Sequence, residues 1–574
     1  MRSTTLPLGD INVVVVTDDH SWVAGHGRHE PALDADYGDV LSFYQGLRKA
    51  ADRVGKDVFF VMNGDFMDGT GLSTIPPDHL LAILEQMPFD AINIGNHELY
   101  HNATVEYMRD SGFIDHWKGN YLTTNTLWEE SHDFIGHPYT YLYGKHSHTK
   151  ILTFGFLYNF ENNCKNTMVL KVQDTVKMKW FRQVLLRRDY DAILVLAHMD
   201  AIDPLTGYIH KSIRSLIGPE MPIQFINGHT HRRAFHFYDD ACTAFEAGRF
   251  LDTIGFVSFP TFASARDSDV PPRMLFRHVF LDANEKTLQH ATGVYNKTEK
   301  GSSLTELIHQ TQNSLGIEDV LGCSAHSYMI DRPLNAPDSL YGLYMRQVFP
   351  FEFGYNFSKV FVQSTGALRY SLLQGEVSID DLIAVSPFED LIFLAAQQIK
   401  GSDILATFDD WMTTNRIPRE WPFPYIFSGA GIDPQHSYDV YAADFDTMDI
   451  RRRLEQVIGR ELAPATLFGH NDGSVITTKT VWQRFVVSNW PCSEATPLRR
   501  LDDHGISHSL LSMSLTAMSA IGVLLLLLFV SRPASSRQSP QYAHLENESR
   551  DYGSMEQNDR EESFGRNLEK REKY

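Results

Sequence analysis

Five short segments of this chain share a pattern that few folds accommodate. NVVVVTDDH (12–20), DVFFVMNGD (57–65), DAINIGNHE (90–98), DAILVLAHMD (191–200) and IQFINGHTH (223–231) each run through a few aliphatic, often β-branched residues and stop at a cluster of Asp, Asn, Gly or His. The runs are too short for helices and apolar on both faces, which predicts strands covered on each side. Between them, DVLSFYQGLRKAADRVG and PPDHLLAILEQM carry helical spacing, so the chain reads as α/β. Architectures of that kind place their ligands just beyond the carboxyl ends of the strands. Every polar cluster here stands at such an end.

The clusters contain Asp18 and His20, Asp65, Asn96 and His97, His198, and His229 with His231. Carboxylate and amide oxygens mixed with imidazoles suit divalent Zn, Mn, Fe or Co, and no Cys takes part, which excludes a thiolate site. His97 apart, the seven candidate ligands are too many for one ion of ordinary coordination. They fit two ions that share a bridging carboxylate.

In order and spacing, DDH, GD (Gly64, Asp65), GNHE (Gly95 to Glu98), the isolated His198 and GHTH (Gly228 to His231) resemble the five blocks of the calcineurin-like metallophosphoesterases. ADYGDV (35–40), FGFLYNF (154–160) and GALRYSLLQGEVSIDDLIAVSPFED (366–390) resemble more closely the two-domain 5′-nucleotidase branch. The resemblance implies a four-layer β-sandwich flanked by helices, with a smaller α+β C-terminal domain. It implies that Asp18, His20 and His231 bind one metal, that Asn96, His198 and His229 bind the other, and that Asp65 bridges them. Such an ion pair lowers the pKa of a shared water and supplies hydroxide for in-line attack on phosphorus. His97 is implied as the proton donor to the leaving oxygen. Asp19 and Glu98 read as capping or supporting residues.

Two departures from the branch stand out. Its GNHE block continues with a Phe and an Asp that pairs with the catalytic His; here the sequence is GNHELY, so Tyr100 holds the Asp position and the carboxylate that would orient His97 is missing. The nucleotide-binding NGGGIR motif appears as STGALR (364–369), keeping Arg369 as a candidate phosphate contact. Phe388 stands where the family places one face of a base-stacking clamp, and no counterpart of the other face is found. His26, His29 and His101 match no motif and read as surface residues.

The 574 residues carry 51 Lys+Arg against 72 Asp+Glu, a net charge of −21, which argues against a nucleic-acid partner. The expected organisation is a catalytic domain over 10–295, a connector helix over 296–320 and a C-terminal domain over 321–495. In that last domain SKVFVQSTGALRY and DIRRRLEQVIGREL read as helical, and SYDVYAA as a strand. From Leu510 to Val530 an uncharged apolar run is long enough to cross a ~30 Å hydrocarbon core, and 531–574 read as a disordered tail. Sequons at Asn102, Asn296 and Asn356 favour a glycoprotein with a lumenal or extracellular catalytic domain and a cytosolic tail. A single-pass membrane protein is therefore expected. Cys164, Cys242, Cys323 and Cys492 allow three disulfide pairings.

The expected activity is hydrolysis of a small phosphate ester, nominally a nucleoside monophosphate. A broad phosphomonoesterase or phosphodiesterase, or a phosphoprotein phosphatase, is the alternative within the class. An inactive metal-binding receptor ectodomain is the alternative outside it.

Overall fold

Successive residues of the strand Ile11–Val16 face two different cores, which explains why the whole run is apolar. Val13 and Val15 pack with Phe59, Val61, Leu194, Leu196, Ile226, Phe245 and Val257, whereas Val14 and Val16 pack with Phe60, Met62, Tyr44 and Leu47. The first core lies between two sheets and the second lies under helices. The strand Ala192–His198 repeats the device: Leu194 and Leu196 enter the inter-sheet core, and Ile193, Val195 and Ala197 pack against Phe181, Ile209 and Ile213. A side-chain period of two with both faces buried produces the continuous apolar runs.

This is a computed structural model, and it describes residues 4–26, 29–353, 358–408, 425–427, 432–469 and 475–492. One six-stranded sheet runs Arg277–Asp282, Thr253–Phe259, Ile11–Val16, Asp57–Asn63, Ala91–Asn93, Tyr121–Leu122; the other runs Arg233–Asp239, Cys242–Ala247, Ile223–Asn227, Ala192–His198, Lys150–Leu157, Tyr139–Tyr143. With helices outside each, they make the expected four layers. Ile11–Val16, Asp57–Asn63 and Ala91–Asn93 are parallel in one sheet, and Ala192–His198 and Ile223–Asn227 are parallel in the other. All five polar clusters consequently open on one edge of the sandwich. The helix Tyr37–Asp52 starts at a capping box formed by Asp36 and Asp39, and Lys297 bridges both carboxylates.

Beyond the helix Glu299–Leu315, a five-stranded sheet runs Tyr425–Phe427, Lys359–Ser364, Ser437–Ala443, Ile392–Lys400, Thr466–Leu467. SKVFVQ, read as helical, is therefore a strand. Its Phe361 faces a core with Tyr344 and Trp482 while Val360 and Val362 face another with Ile450 and Leu454, the alternation of a buried strand. Cys323 and Cys492 are disulfide-bonded, and Cys164 and Cys242 are free. Met1–Leu498 cluster as one compact unit. Within it, His26 Nδ1 meets the Tyr370 hydroxyl at 2.8 Å, His29 Nε2 meets Asp381 at 3.1 Å and Gly71 N donates to Asp380 at 2.5 Å. His26 is thus not a surface residue: it is 5% exposed and stacks on Trp22.

The expected transmembrane helix, and the single-pass membrane placement built on it, are corrected. Among the described residues no helix is long and apolar enough to cross a membrane. The longest, Glu299–Leu315, has 17 residues and carries Glu299, Lys300 and Glu306. At ~1.5 Å per residue it also falls short of a ~30 Å core. Leu510–Val530, the 531–574 tail and the sequon at Asn356 lie outside the described residues. Of the other sequon asparagines, Asn296 is exposed and Asn102 half-buried.

Candidate metal centre

Tight turns after the parallel strands carry the polar side chains into one cluster. Asp18, His20, Asp65, His229 and His231 all have positive φ, between +46° and +75°. That region disfavours side chains, and it is held here in three of the turns that meet at the site. Glycines allow the close approach: a Cβ on Gly228 would stand 2.6 Å from Asp18 Oδ2, and one on Gly95 would collide with Asp65.

Three groups of donors emerge, each with its atoms within 4.8 Å of one another: Asp18, His20 and His231; Asp65, His198 and His229; and His20, Asp65 and His97. Asp65 lies between the first two sets, with Oδ2 2.9 Å from His198 Nε2 and 3.8 Å from His20 Nε2. His231 Nε2 is 3.6 Å from Asp18 Oδ1. The backbone N–H of His97 and that of His229 donate to Asp65 Oδ1 and Asp18 Oδ1, so each carboxylate is aimed by a main-chain bond.

Tautomers decide what the cluster can hold. His20 Nδ1 donates to the carbonyls of Met67 and Asp68, at 2.9 and 3.0 Å, leaving Nε2 as a lone pair 3.1 Å from His231 Nε2. His198 Nδ1 donates to the Asn63 carbonyl at 2.8 Å. Its Nε2 is buried and lies 2.9 Å from Asp65 Oδ2. The Asn96 amide donates to the Tyr100 hydroxyl at 2.9 Å, leaving its Oδ1 buried and unpartnered. An imidazole lone pair and an unpartnered amide oxygen aimed into a buried cluster of carboxylates and histidines fit a cation. The donor set therefore fits divalent metal.

The charges lead to the same conclusion. Burial raises Asp18 well above the usual carboxylate range, whereas for Asp65 the burial effect is outweighed by His198 and His97, which hold it well below. Burial disfavours a charged His198, yet Asp65 and Asp18 outweigh it and lift the imidazole to about 10. Burial and then the charge of His198 press His229 down to about 3. Cations placed here would relieve both carboxylate repulsion and histidine charging.

Two residues do more than their sequence context suggests. Glu98 accepts four backbone N–H bonds, from Gly95 (2.7 Å), Asp65 (3.0 Å), Phe66 (2.9 Å) and Met67 (3.2 Å), and so ties the GD and GNHE turns together. Burial and Asp65 push it up to about 8 against these donors, which favour the ionised carboxylate. Asp68 places Oδ2 3.0 Å from His97 Nδ1. Only the short GDFMD spacing could have hinted at Asp68. Asp19 is buried and accepts the Tyr37 hydroxyl.

Arg369 and Phe388 reach the same mouth from the second half of the chain. Phe388 stacks on His97 with ring centroids 6.0 Å apart, and the Arg369 guanidinium lies 5.9 Å from the Phe388 ring. Arg249, not singled out in the sequence, sits over Phe250 at 4.7 Å, and burial with the repulsion of Arg369 lowers its pKa. The His101 side chain is exposed and takes no part.

The sequence profile of the calcineurin-like phosphoesterases matches residues 11–233, which contain all five strand ends. An uncharacterised protein of Schizosaccharomyces pombe is 30% identical over 427 residues, or 67% of this chain and 69% of the relative. The chain belongs to the calcineurin-like phosphoesterase family. This phosphoesterase superposes on a 5′-nucleotidase of Candida albicans with a TM-score of 0.75 at 22% identity, over 85% of this chain and 99% of that one. A 5′-nucleotidase precursor of Thermus thermophilus gives 0.61 at 13% identity, over 85% and 98%. At such identities the likeness shows the fold, that of the 5′-nucleotidase branch.

Proposed function

We propose that this phosphoesterase hydrolyses small phosphate monoesters at a two-metal centre, with a nucleoside monophosphate as the nominal substrate. The observation that carries this reading is the convergence of donor atoms on Asp65: its Oδ2 lies 2.9 Å from His198 Nε2 and 3.8 Å from His20 Nε2, His20 Nε2 meets His231 Nε2 at 3.1 Å, and Asn96 Oδ1 is buried without a hydrogen bond. Asp18, His20 and His231 would hold one ion and Asn96, His198 and His229 the other, with Asp65 shared. Divalent ions held there would supply Lewis-acid neutralisation of the phosphoryl charge and an activated water.

The remaining work falls to the chain. Arg369, whose charge is felt at His20 and His229, is suited to hold the phosphoryl oxygens. His97 Nε2 faces Asp65 Oδ2 at 3.9 Å and is free to hand a proton to the departing oxygen. Residues 10–295 would form the catalytic domain, with 296–320 connecting it to a C-terminal domain of 321–495 that supplies Arg369 and Phe388.

A broader phosphoesterase is the second reading, and Phe388 favours it. Arg369 and His97 both lie about 6 Å from that ring, so a base stacking there would compete with them for its faces. The test is metal-free protein assayed after add-back of Zn, Mn, Fe or Co with AMP, a sugar phosphate, bis(p-nitrophenyl) phosphate and a phosphopeptide. Metal-dependent turnover of AMP above the others is expected. Full activity in metal-free protein, or in Asp65→Ala, refutes the proposal.

A further inference from the structure

Position 100, where the 5′-nucleotidase branch carries an Asp, brings a ring and a neutral hydroxyl to the candidate metal centre. Tyr100 ends the 3₁₀ turn His97–Leu99 that Asn96 opens, so it stands four residues after that candidate ligand. Its hydroxyl accepts from the Asn96 amide nitrogen at 2.9 Å, and the oxygen at the other end of the amide is buried without a hydrogen bond. An Asn amide has a donor end and an acceptor end in one plane, so holding the nitrogen settles where the oxygen points. A carboxylate at position 100 would add a third negative charge to those of Asp65 and Asp68, both of which are felt there. The phenol accepts a hydrogen bond without one.

The Tyr100 ring also begins a continuous row of aromatic contacts. It meets Phe160 edge-on with centroids 5.8 Å apart, Phe160 meets Tyr158 at 5.6 Å, and Tyr158 meets His229 at 4.5 Å. Tyr100 follows the strand Ala91–Asn93 of one sheet, whereas Tyr158 and Phe160 follow Lys150–Leu157 and His229 follows Ile223–Asn227 in the other. The row therefore crosses from sheet to sheet and joins Asn96 to His229, candidate ligands of the same ion. Phe160, at its middle, is 8% exposed. His20 and His231, assigned to the other ion, are packed by a different ring, each 5.3 Å from Phe250.

We infer that Tyr100 is the positioning residue of Asn96, and that with Phe160 and Tyr158 it forms an aromatic bracket tying Asn96 to His229 across the two sheets. The hydroxyl fixes the direction of the amide, and the rings fix the distance between the turns that carry the two ligands. One half of the centre is thereby supported separately from the half that Phe250 packs. The division between two ions rests on the two-metal reading above; the bond from Asn96 to Tyr100 does not.

Metal uptake tests it without any substrate. Metal-free protein is titrated with Mn or Zn in a calorimeter, and the ions retained per chain are counted by elemental analysis. Two ions are expected in wild type. Tyr100→Phe, which keeps the ring and removes the acceptor, is expected to weaken one of them about 10–100-fold and to leave the other unchanged. Phe160→Leu, which keeps the hydroxyl and removes the middle of the row, weakens the same one. Tyr100→Phe in an Asn96→Ala background adds little further loss, because the two act as a unit. Equal weakening of both ions, no weakening in Tyr100→Phe, or fully additive losses overturn the inference. In metal-free protein the side-chain amide ¹⁵N–¹H signals of Asn96, identified by their absence in Asn96→Ala, are expected to move in Tyr100→Phe. Unchanged signals overturn the inference whatever metal the protein takes up. If those signals move but wild type binds fewer than two ions, the two-metal reading alone has failed.

Discussion

Replacing Glu98 with Gln isolates the contribution of one buried carboxylate to the geometry of the whole centre. Its Oε1 receives the N–H groups of Phe66 and Met67, and its Oε2 those of Asp65 and Gly95. Gln keeps the shape but offers a single oxygen. Whichever pair faces the new NH₂ group loses its acceptor, and two buried N–H groups without partners cost about 1–3 kcal/mol each. Together the two lost acceptors give about 4 kcal/mol, a fall in melting temperature of roughly 4 °C for the unit Met1–Leu498. Because the Asp65 N–H is one of the four, the turn that carries the Asp65 carboxylate also loses its anchor, and metal affinity should fall about 10–100-fold. Differential scanning calorimetry with metal-content analysis reads both. A variant that melts within about 1 °C of wild type and keeps its metal refutes the claim that Glu98 joins the two turns.

Three further outcomes are expected. Chelation should lower the unfolding free energy by about 2.7 kcal/mol relative to protein held at a free metal concentration of 100 times Kd, and Asp65→Ala should melt at the same temperature with and without metal. His278 is pulled by burial down to about 4, so between pH 6.5 and 4 the unfolded chain takes up a proton that the folded chain refuses. Its contribution is complete above pH 6.5 and declines as the pH falls, by about 3 kcal/mol in all, and His278→Phe should flatten that part of a urea-denaturation pH profile. The Cys323–Cys492 bond spans 169 residues, and its removal in a Cys323→Ser, Cys492→Ser variant should cost at most about 5 kcal/mol in denaturant unfolding. An unchanged denaturation midpoint would show that the loop is already restricted in the unfolded chain.

What was legible in the sequence was whatever a strand writes locally. Runs such as VVVV before DDH and ILVLA before His198 are apolar at every position because neighbouring side chains face two different cores, and the break to polar residues marks the strand end. Seven donors at five such ends could be collected without knowing any distance between them. SKVFVQ shows the limit of the same reasoning, since a short apolar run has no period long enough to separate strand from helix until the partner strand Ser437–Ala443 is in place. The apolar run at Leu510–Val530 shows it again, because hydropathy alone set a membrane placement that no described helix supports. Tertiary structure alone decided the pairs between distant segments. Asp68 and His97 are 29 residues apart, Glu98 reaches back to Asp65, and Cys323 chose Cys492 over two nearer thiols' alternatives. The physical reason is the same in each case: side-chain periodicity is a property of one segment, whereas a hydrogen bond or a disulfide depends on where two segments meet. Sequence made the carboxylate beside His97 look lost. The fold supplies one from another turn.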